Sequence, residues 1–315
     1  MSERVTPLIG LSMTANFLRT SGPPAQEVAR AAEAAGLDYL QVGDHVSFLD
    51  GTGFDGLVLA SAALAYQQRL PVHVGLYLLA LRHPLLVARQ VADLARLAPG
   101  RLVLGVGVGG EDRLEFENCG VDPSTRGKRT DESITLLRQL LTGASVTSEG
   151  DFFTLQAASI SPAPAQPVPV IVGGRSPAAL RRAGLVGDGW LGLWVSPERY
   201  KSAIARIASI AVDSGRSVDR WQHGLNMWCG VHDERSDGRS VLAAAMEKRY
   251  KMPFERFARW CPTGSAADVA KLIGDYAEAG CTSVTLVLHN PDPFDAIAAA
   301  AAVRSCVHAD QGHVT

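Results

Sequence analysis

Short apolar stretches alternate with segments of helical periodicity along almost the whole chain. The first stretch, Leu8–Ala15, precedes a segment of alanines and valines at helical spacing, and Gly36 then stands where a helix C-cap belongs. The alternation predicts eight strands, at Leu8–Ala15, Tyr39–Gly43, Val72–Leu81, Arg101–Gly109, Val168–Val172, Gly189–Trp194, Gly224–Val231 and Thr282–His289. It predicts helices at Pro23–Ala35, Phe54–Gln68, Asp131–Leu141 and Pro293–Val307, and directly after Pro84, Ser176, Pro197 and Ser265.

Eight strand–helix units in 315 residues favour a single α/β domain over residues 1–315, a closed parallel (β/α)8 TIM barrel. A doubly wound sheet is the competing architecture, but two runs of strands with a reversal are not apparent. Gly143–Pro167, rich in Ala, Ser and Pro, and His232–Pro262 interrupt the pattern. We predict that they are excursions from the barrel, after strands four and seven.

The composition narrows the class of protein. The formal charge of −2 gives no support for nucleic-acid binding, and no apolar run is long enough to span a bilayer. The N-terminus lacks a signal-peptide pattern, and the five cysteines form no C-x-x-C pair. We therefore expect a cytoplasmic protein with reduced thiols, no metal site and no membrane or nucleic-acid partner.

A candidate phosphate site lies where the fifth predicted strand meets its helix. Gly173 and Gly174 would let backbone approach a ligand, Ser176 can cap the helix, and Pro177 suits its first position. The free N–H groups of a helix start favour an anion, and Arg175 adds charge beside them. The alternative, on this stretch alone, is a glycine turn that joins a strand to its helix.

In a barrel of this kind, chemistry takes place at the C-terminal ends of the strands. Aromatic and aliphatic side chains dominate the predicted ends, with few carboxylates, which suits a flat, conjugated, phosphate-bearing ligand. The residues expected there include Met13, Asp44, His45, Gly75, Leu76, Tyr77, Leu78, Gly107, Val108, Gly109, Gly110, Trp194 and Trp228.

Asp44-His45 is the candidate for proton transfer, because histidine titrates near neutral pH and Asp44 can accept hydrogen bonds from backbone or ligand. A structural pair that closes the strand is the alternative. His73 and His83 are interpreted as structural.

Two further patterns have ordinary explanations. Gly105-x-Gly107-x-x-Gly110 fits the dinucleotide fingerprint, but a loop follows it instead of a helix. The basic cluster of Arg126, Lys128 and Arg129 is typical of a solvated helix start, and could also meet an acidic ligand tail.

Several of these motifs together resemble the bacterial luciferase-like family of flavin and deazaflavin barrels, nearly end to end. They are Arg82-His83-Pro84, Arg101–Gly107, Gly173-Gly174-x-Ser176 and Gly187–Trp190. The segment Gly143–Pro167 also falls where that family has an insertion.

The resemblance implies a cofactor site. Asp44-His45 is similar to the strand-two Asp-His of the coenzyme F420-dependent branch, where the Asp contacts the deazaflavin and the His lies over its reactive ring. By the same resemblance, a non-prolyl cis peptide at Gly75–Leu76 would back the ring. Cofactor contacts would come from Asp44, Gly75, Leu76, Tyr77, Leu78, Gly107, Val108, Gly109, Gly110, Gly173, Gly174, Arg175 and Ser176, and the substrate pocket from Met13, Trp194 and Trp228.

The leading hypothesis is therefore an F420-dependent oxidoreductase that moves a hydride to or from a small organic molecule, with His45 as the catalytic proton donor or acceptor. An FMN-dependent monooxygenase served by a partner reductase is the runner-up, followed by a non-catalytic flavin-binding barrel. A phosphate-binding aldolase or isomerase would want a lysine or carboxylate pair that the mouth does not offer. Sugar-phosphate dehydrogenases of the branch carry a carboxylate where this chain has Gly110, so a sugar phosphate is not expected. The resemblance also implies a homodimer.

Overall fold

The computed structural model describes residues 6–14, 21–49, 51–232 and 235–309. Eight parallel strands close into a barrel, as the alternation predicts, and each is hydrogen-bonded to its neighbours in the order β1-β8-β7-β6-β5-β4-β3-β2. The strands are β1 (Leu8–Ser12), β2 (Tyr39–Val42), β3 (Val72–Tyr77), β4 (Leu102–Val106), β5 (Val170–Gly173), β6 (Gly189–Leu193), β7 (Gln222–Trp228) and β8 (Ser283–Val287). The predicted end of the first strand, Ala15, lies outside the described residues.

A helix follows each strand on the outside of the barrel. The helices are α1 (Ala25–Ala34), α2 (Gly56–Tyr66), α3 (Pro84–Leu97), α4 (Arg126–Leu141), α5 (Pro177–Val186), α6 (Pro197–Asp213), α7 (Ala266–Glu278) and α8 (Pro293–Ala309). Their starts follow the capping rules: Ser176 and Ser196 accept backbone hydrogen bonds ahead of a first-turn proline, and Ser265 forms a capping box with Asp268. Local sequence therefore sets where these helices begin.

A polar cluster lies inside the barrel. The hydroxyl groups of Tyr39 and Thr285 are 2.8 Å apart, and the Thr285 hydroxyl donates to Gln41 Oε1 at 2.9 Å. The ring of His73 stacks on Tyr39 at 4.1 Å, and burial lowers the pKa of His73 to about 4. A Cβ on Gly10 would lie 2.4 Å from the Tyr39 ring, so a glycine is needed for this packing. The main hydrophobic cluster fills the layer between the strands and the helices.

The predicted excursions contain regular structure. The segment after α4 forms an antiparallel hairpin of Val146–Glu149 and Thr154–Ala158, and the segment after β7 contains a helix, Arg235–Tyr250. The sequence analysis missed a hairpin after β2, His45–Phe48 with Thr52–Phe54, and a helix after β4, Arg113–Asn118.

Seven of the eight strands end one to four residues earlier than predicted, and β3 and β7 show which groups take the backbone N–H groups beyond the strand. The N–H of Leu78 donates to the Asp44 carboxylate, so β3 ends at Tyr77 instead of Leu81. The N–H of Gly230 donates to Pro262 O, and Gly230–Val231 forms a separate pair of short strands with Thr263–Gly264. In the described part of the chain, no helix is both long and apolar enough to cross a membrane.

Candidate active site

The predicted site residues follow or end strands β1 to β7, and because all eight strands are parallel they gather at one end of the barrel. The side chains after β1 and at the end of β3 are buried beneath this end of the barrel. Met13 is fully buried within the main hydrophobic cluster, and its place in the substrate pocket stays a prediction. Tyr77 and Leu78 are also buried, so any contact that they make with a ligand would come from their backbone.

Asp44 forms a buried ion pair that ties β2 to β3. Its Oδ2 accepts from Arg82 Nη1 at 2.7 Å and from the Leu78 N–H at 2.8 Å. Its Oδ1 accepts from Arg82 Nη2 at 2.8 Å and from the Gly56 N–H at 2.9 Å. The side chain of Asp44 is 0% exposed, so neither oxygen is open to a ligand. Direct contact of Asp44 with a ring stays a prediction, and the geometry gives the residue a positioning role at the end of β3.

His45 faces a second carboxylate, which the sequence analysis missed. Its Nδ1 lies 3.1 Å from Glu115 Oε2 and 3.3 Å from Oε1, and Glu115 is 2% exposed. Glu115 Oε1 also accepts from the N–H groups of Val46 at 2.6 Å and Ser47 at 3.2 Å. The ring of Phe48 lies 4.3 Å from the imidazole. The β2 hairpin and the helix after β4 thus hold His45 from two sides.

A sequence signal for Glu115 was present. Asp112 caps the helix by accepting from the Leu114 N–H, and a glutamate three residues after such a cap is typical of a helix start. The pattern could have predicted the helix. It could not have shown that Glu115 turns toward His45, which lies 70 positions away in sequence.

Leu76 lies inside the barrel over a row of glycines. The peptide Gly75–Leu76 is cis, which confirms the prediction from the resemblance. An added Cβ would lie 2.0 Å from Leu76 Cδ1 at Gly173, 3.0 Å from the Leu76 side chain at Gly107 and 3.1 Å from it at Gly105. Glycine at position 173 therefore leaves room for the side chain of Leu76. The predicted role of Gly173 was different, namely to let a ligand approach the backbone.

The turn predicted to hold a phosphate has the expected backbone form. Gly174 has a φ of +113°, a value that favours glycine, and Ser176 accepts from the Ala179 N–H at 3.2 Å as the cap of α5. The exposed Arg175 side chain donates from Nη1 to Trp194 O at 3.2 Å. The cap, the turn and the cation thus lie together, and phosphate binding stays a prediction.

The loop after β4 wraps around a basic side chain. Gly109 and Gly110 have φ values of +59° and +116°, and a Cβ on Gly110 would lie 2.8 Å from Arg126 Nε. Val108 before them is half-buried. Arg126 donates to Pro123 O, and Arg129 donates to Ala80 O at 2.8 Å. Arg126, Lys128 and Arg129 were predicted to form a solvated face or to contact a ligand tail. Arg126 and Arg129 make hydrogen bonds to backbone carbonyls of the protein itself.

An aromatic cluster forms the opposite wall of the mouth. The Trp194 ring lies 5.5 Å from that of Trp228, 5.2 Å from that of Tyr250 and 4.7 Å from that of Phe257. Both tryptophans are 8% exposed, and within the described residues their indole N–H groups have no hydrogen-bond partner. Asn226 precedes Trp228 by two residues and therefore lies on the same side of β7. Its Oδ1 is also buried, with no hydrogen-bond partner among the described residues. Buried polar atoms are usually paired, so these groups are suited to a polar ligand.

Burial, neighbouring charges and hydrogen bonds shift the pKa values of two groups near the mouth, His289 and Glu115. Burial and the charge of Arg249 lower the pKa of His289 to about 4, so this imidazole is neutral at neutral pH. Burial acts to raise the pKa of Glu115, but the hydrogen bond and charge of His45 and the N–H groups of Val46 and Ser47 lower it below its ordinary value. Among the described residues, no group of three or more His, Cys, Asp or Glu side chains could hold a metal ion.

Comparison with known proteins agrees with this geometry. The model of the luciferase-like monooxygenase family matches residues 14–283. The chain belongs to this family. An F420-dependent glucose-6-phosphate dehydrogenase of Beutenbergia cavernae is 36% identical over 289 residues, 82% of this chain and 85% of that protein. An uncharacterized protein of Mycobacterium tuberculosis is 34% identical over 209 residues, 60% of this chain and 72% of that protein.

Solved structures that resemble this luciferase-like chain support the fold. An F420-dependent secondary alcohol dehydrogenase, in complex with an F420–acetone adduct, superposes with a TM-score of 0.84. It is 23% identical, and the match covers 96% of this chain and 99% of that one. The EDTA monooxygenase from Chelativorans superposes with a TM-score of 0.79 at 15% identity, over 98% and 94% of the two chains.

Proposed function

We propose that this luciferase-like chain is an oxidoreductase that binds coenzyme F420 and moves a hydride to or from a small organic substrate. The observation that carries the proposal is the imidazole of His45, held at the C-terminal end of the barrel by a buried carboxylate at 3.1 Å. Relatives named as F420-dependent glucose-6-phosphate dehydrogenases support the choice of cofactor. When bound, the cofactor supplies the hydride chemistry, and the protein supplies orientation and proton transfer.

The residues present fit such a cofactor. Gly174 has the φ and the open face that a phosphate on the start of α5 needs, with Arg175 as a nearby cation. Leu76 and the glycine row offer a flat apolar surface to a ring. The unpartnered indole N–H groups of Trp194 and Trp228 can donate to carbonyl or hydroxyl oxygens at the mouth.

His45 would exchange the proton that accompanies the hydride. If a substrate hydroxyl is oxidised, His45 Nε2 would accept its O–H proton, and a bound cofactor would supply the acceptor for the C–H hydride, so that a carbonyl results. In reduction of a carbonyl, His45 would return the proton to the oxygen. A positioned acid–base group contributes about 100- to 10,000-fold to the rate.

Parallel titration of the purified protein with F420 and with FMN tests the cofactor. We expect saturable binding of F420 with a tighter Kd than that of FMN. Because the family model is named for monooxygenases, an FMN-dependent monooxygenase is the second candidate. Tight FMN binding without measurable F420 binding would favour it, and a folded protein that binds neither would favour a non-catalytic barrel.

Turnover then tests His45. We expect His45→Ala to lower kcat at least about tenfold on a secondary-alcohol or carbonyl panel, while the protein stays folded and still binds F420. The exposed His308→Ala on α8 is the matched control, and it should behave as wild type. Glucose 6-phosphate belongs in the panel, since relatives are named for it although Gly110 replaces the expected carboxylate. A stable His45→Ala protein with wild-type turnover would contradict the assignment.

A further inference from the structure

The carboxylate of Glu115 lies in a site built around it. It is 2% exposed, and its hydrogen-bond donors come from three successive residues of the β2 hairpin: His45 Nδ1, Val46 N–H and Ser47 N–H. The residue itself is supplied by the short helix after β4. A buried carboxylate is costly unless it is paired and hydrogen-bonded, and here the pairing converges on the imidazole.

The geometry fixes which nitrogen of His45 carries the proton. An ionised carboxylate is an acceptor only, so the nitrogen 3.1 Å from it must be the donor. Neutral His45 therefore carries its proton on Nδ1 and leaves Nε2 as the acceptor. The Phe48 ring, 4.3 Å away, packs against the imidazole and limits its rotation.

We propose that Glu115 is a positioning residue, which selects the Nδ1–H tautomer of His45 and aims Nε2 at the substrate. Glu115 touches no reacting atom and acts through His45. The proposal rests on the proposed function for its effect on turnover, but the tautomer itself is a property of the protein without cofactor.

The direct test is the tautomer of His45. Ring-labelled ¹⁵N-histidine spectra, recorded up to the pH above which they no longer change, distinguish protonated Nδ1 from protonated Nε2. The signal of His45 is assigned by its loss in His45→Ala. We expect this signal to show a proton on Nδ1 in the wild type. In Glu115→Gln, the amide NH₂ can donate to Nδ1 while its oxygen still accepts from Val46, so we expect a shift toward the Nε2–H tautomer.

Turnover provides the second readout. Glu115→Gln should lower kcat by at least about tenfold with little change in F420 affinity, since a misplaced proton removes the general base. It should also shift the pH profile of kcat. Glu115→Asp retains the charge and should recover part of the loss. Glu117→Gln, an exposed carboxylate on the same helix, is the matched control and should leave all readouts unchanged.

A double variant separates positioning from general support of the fold. If Glu115 acts through His45, then Glu115→Gln in the His45→Ala background should reduce kcat no further than His45→Ala alone. A folded Glu115→Gln protein with the wild-type tautomer and wild-type kcat would overturn the proposal. If Glu115→Gln does not fold, a wild-type His45 that lacks a proton on Nδ1 would overturn it. Failure to bind F420 would reject the proposed function, whereas the tautomer would still decide the role of Glu115.

Discussion

Replacement of Gly173 by alanine tests whether the glycine row exists to hold Leu76. The alanine Cβ would lie 2.0 Å from Leu76 Cδ1, 2.8 Å from Cδ2 and 3.0 Å from Cγ. Leu76 also packs against the other two glycines of the row, since an added Cβ would lie 3.1 Å from its side chain at Gly105 and 3.0 Å from it at Gly107. The variant should therefore push Leu76 out toward the mouth.

The size of the effect follows from two opposing contributions. Overpacking of a filled site costs about 1–3 kcal/mol. Alanine in place of glycine, where the backbone does not need a positive φ, recovers about 0.4–1 kcal/mol by restricting the unfolded chain. We expect a net loss of about 1–2 kcal/mol in the free energy of unfolding, or roughly 2–3 °C in Tm for a chain of this length.

Urea and thermal unfolding of Gly173→Ala, Leu76→Ala and the double variant measure this loss in the free energy of unfolding. Leu76→Ala removes every side-chain atom that clashes, so Gly173→Ala should cost little in that background, with a coupling of about 1–2 kcal/mol. Gly274→Ala is the matched control, because it lies inside α7 with no atom within 4 Å of its Cβ position. That change should stabilise the protein by about 0.5–1 kcal/mol.

Two results would refute this reasoning. Gly173→Ala with the wild-type free energy of unfolding would show that Leu76 moves without cost. Additive losses in the double variant would show that Leu76 is not the neighbour that matters. If F420 binding is lost in Gly173→Ala and is not recovered with Leu76→Ala, the glycine admits the ligand, as the sequence analysis predicted.

Three further predictions concern the surroundings of the site. Asp44→Asn breaks the buried pair with Arg82 and should cost about 3–5 kcal/mol in urea unfolding, whereas Asp93→Asn in an exposed pair should cost under about 1 kcal/mol; equal losses would contradict the assigned burial. Gly174→Val forces a β-branched residue into a φ of +113° and should weaken F420 binding in a titration more than Arg175→Ala does; unchanged affinity would place the phosphate elsewhere. Burial lowers the pKa of His223 from 6.5 to about 4, so the unfolded chain binds more protons between these values. This contributes up to about 1.4 kcal/mol per pH unit to the loss of stability as the pH drops through the window. Because His73 and His289 share the window, the measurement is the difference in slope between wild type and His223→Gln in unfolding curves, and equal slopes would argue against a neutral His223.

The barrel could be predicted from the sequence because its signals are local. Apolar runs of strand length, serine caps ahead of prolines and glycines at the ends of helices indicate the order of the strand–helix units and where several helices begin. The parallel arrangement then gathers the strand ends, which is how His45 and the Gly174 turn became candidates without any knowledge of contacts. The cis peptide at Gly75–Leu76 came only from the family resemblance, since no local pattern marks it.

The tertiary structure decided which of these residues face one another. Asp44 is paired with Arg82 across 38 positions and His45 with Glu115 across 70, and no spacing rule connects groups so far apart in sequence. The glycines at 105, 107 and 173 look alike along the chain, yet together they make the space that Leu76 occupies. Sequence patterns record what each residue prefers locally, whereas close packing in three dimensions determines the partner that it meets.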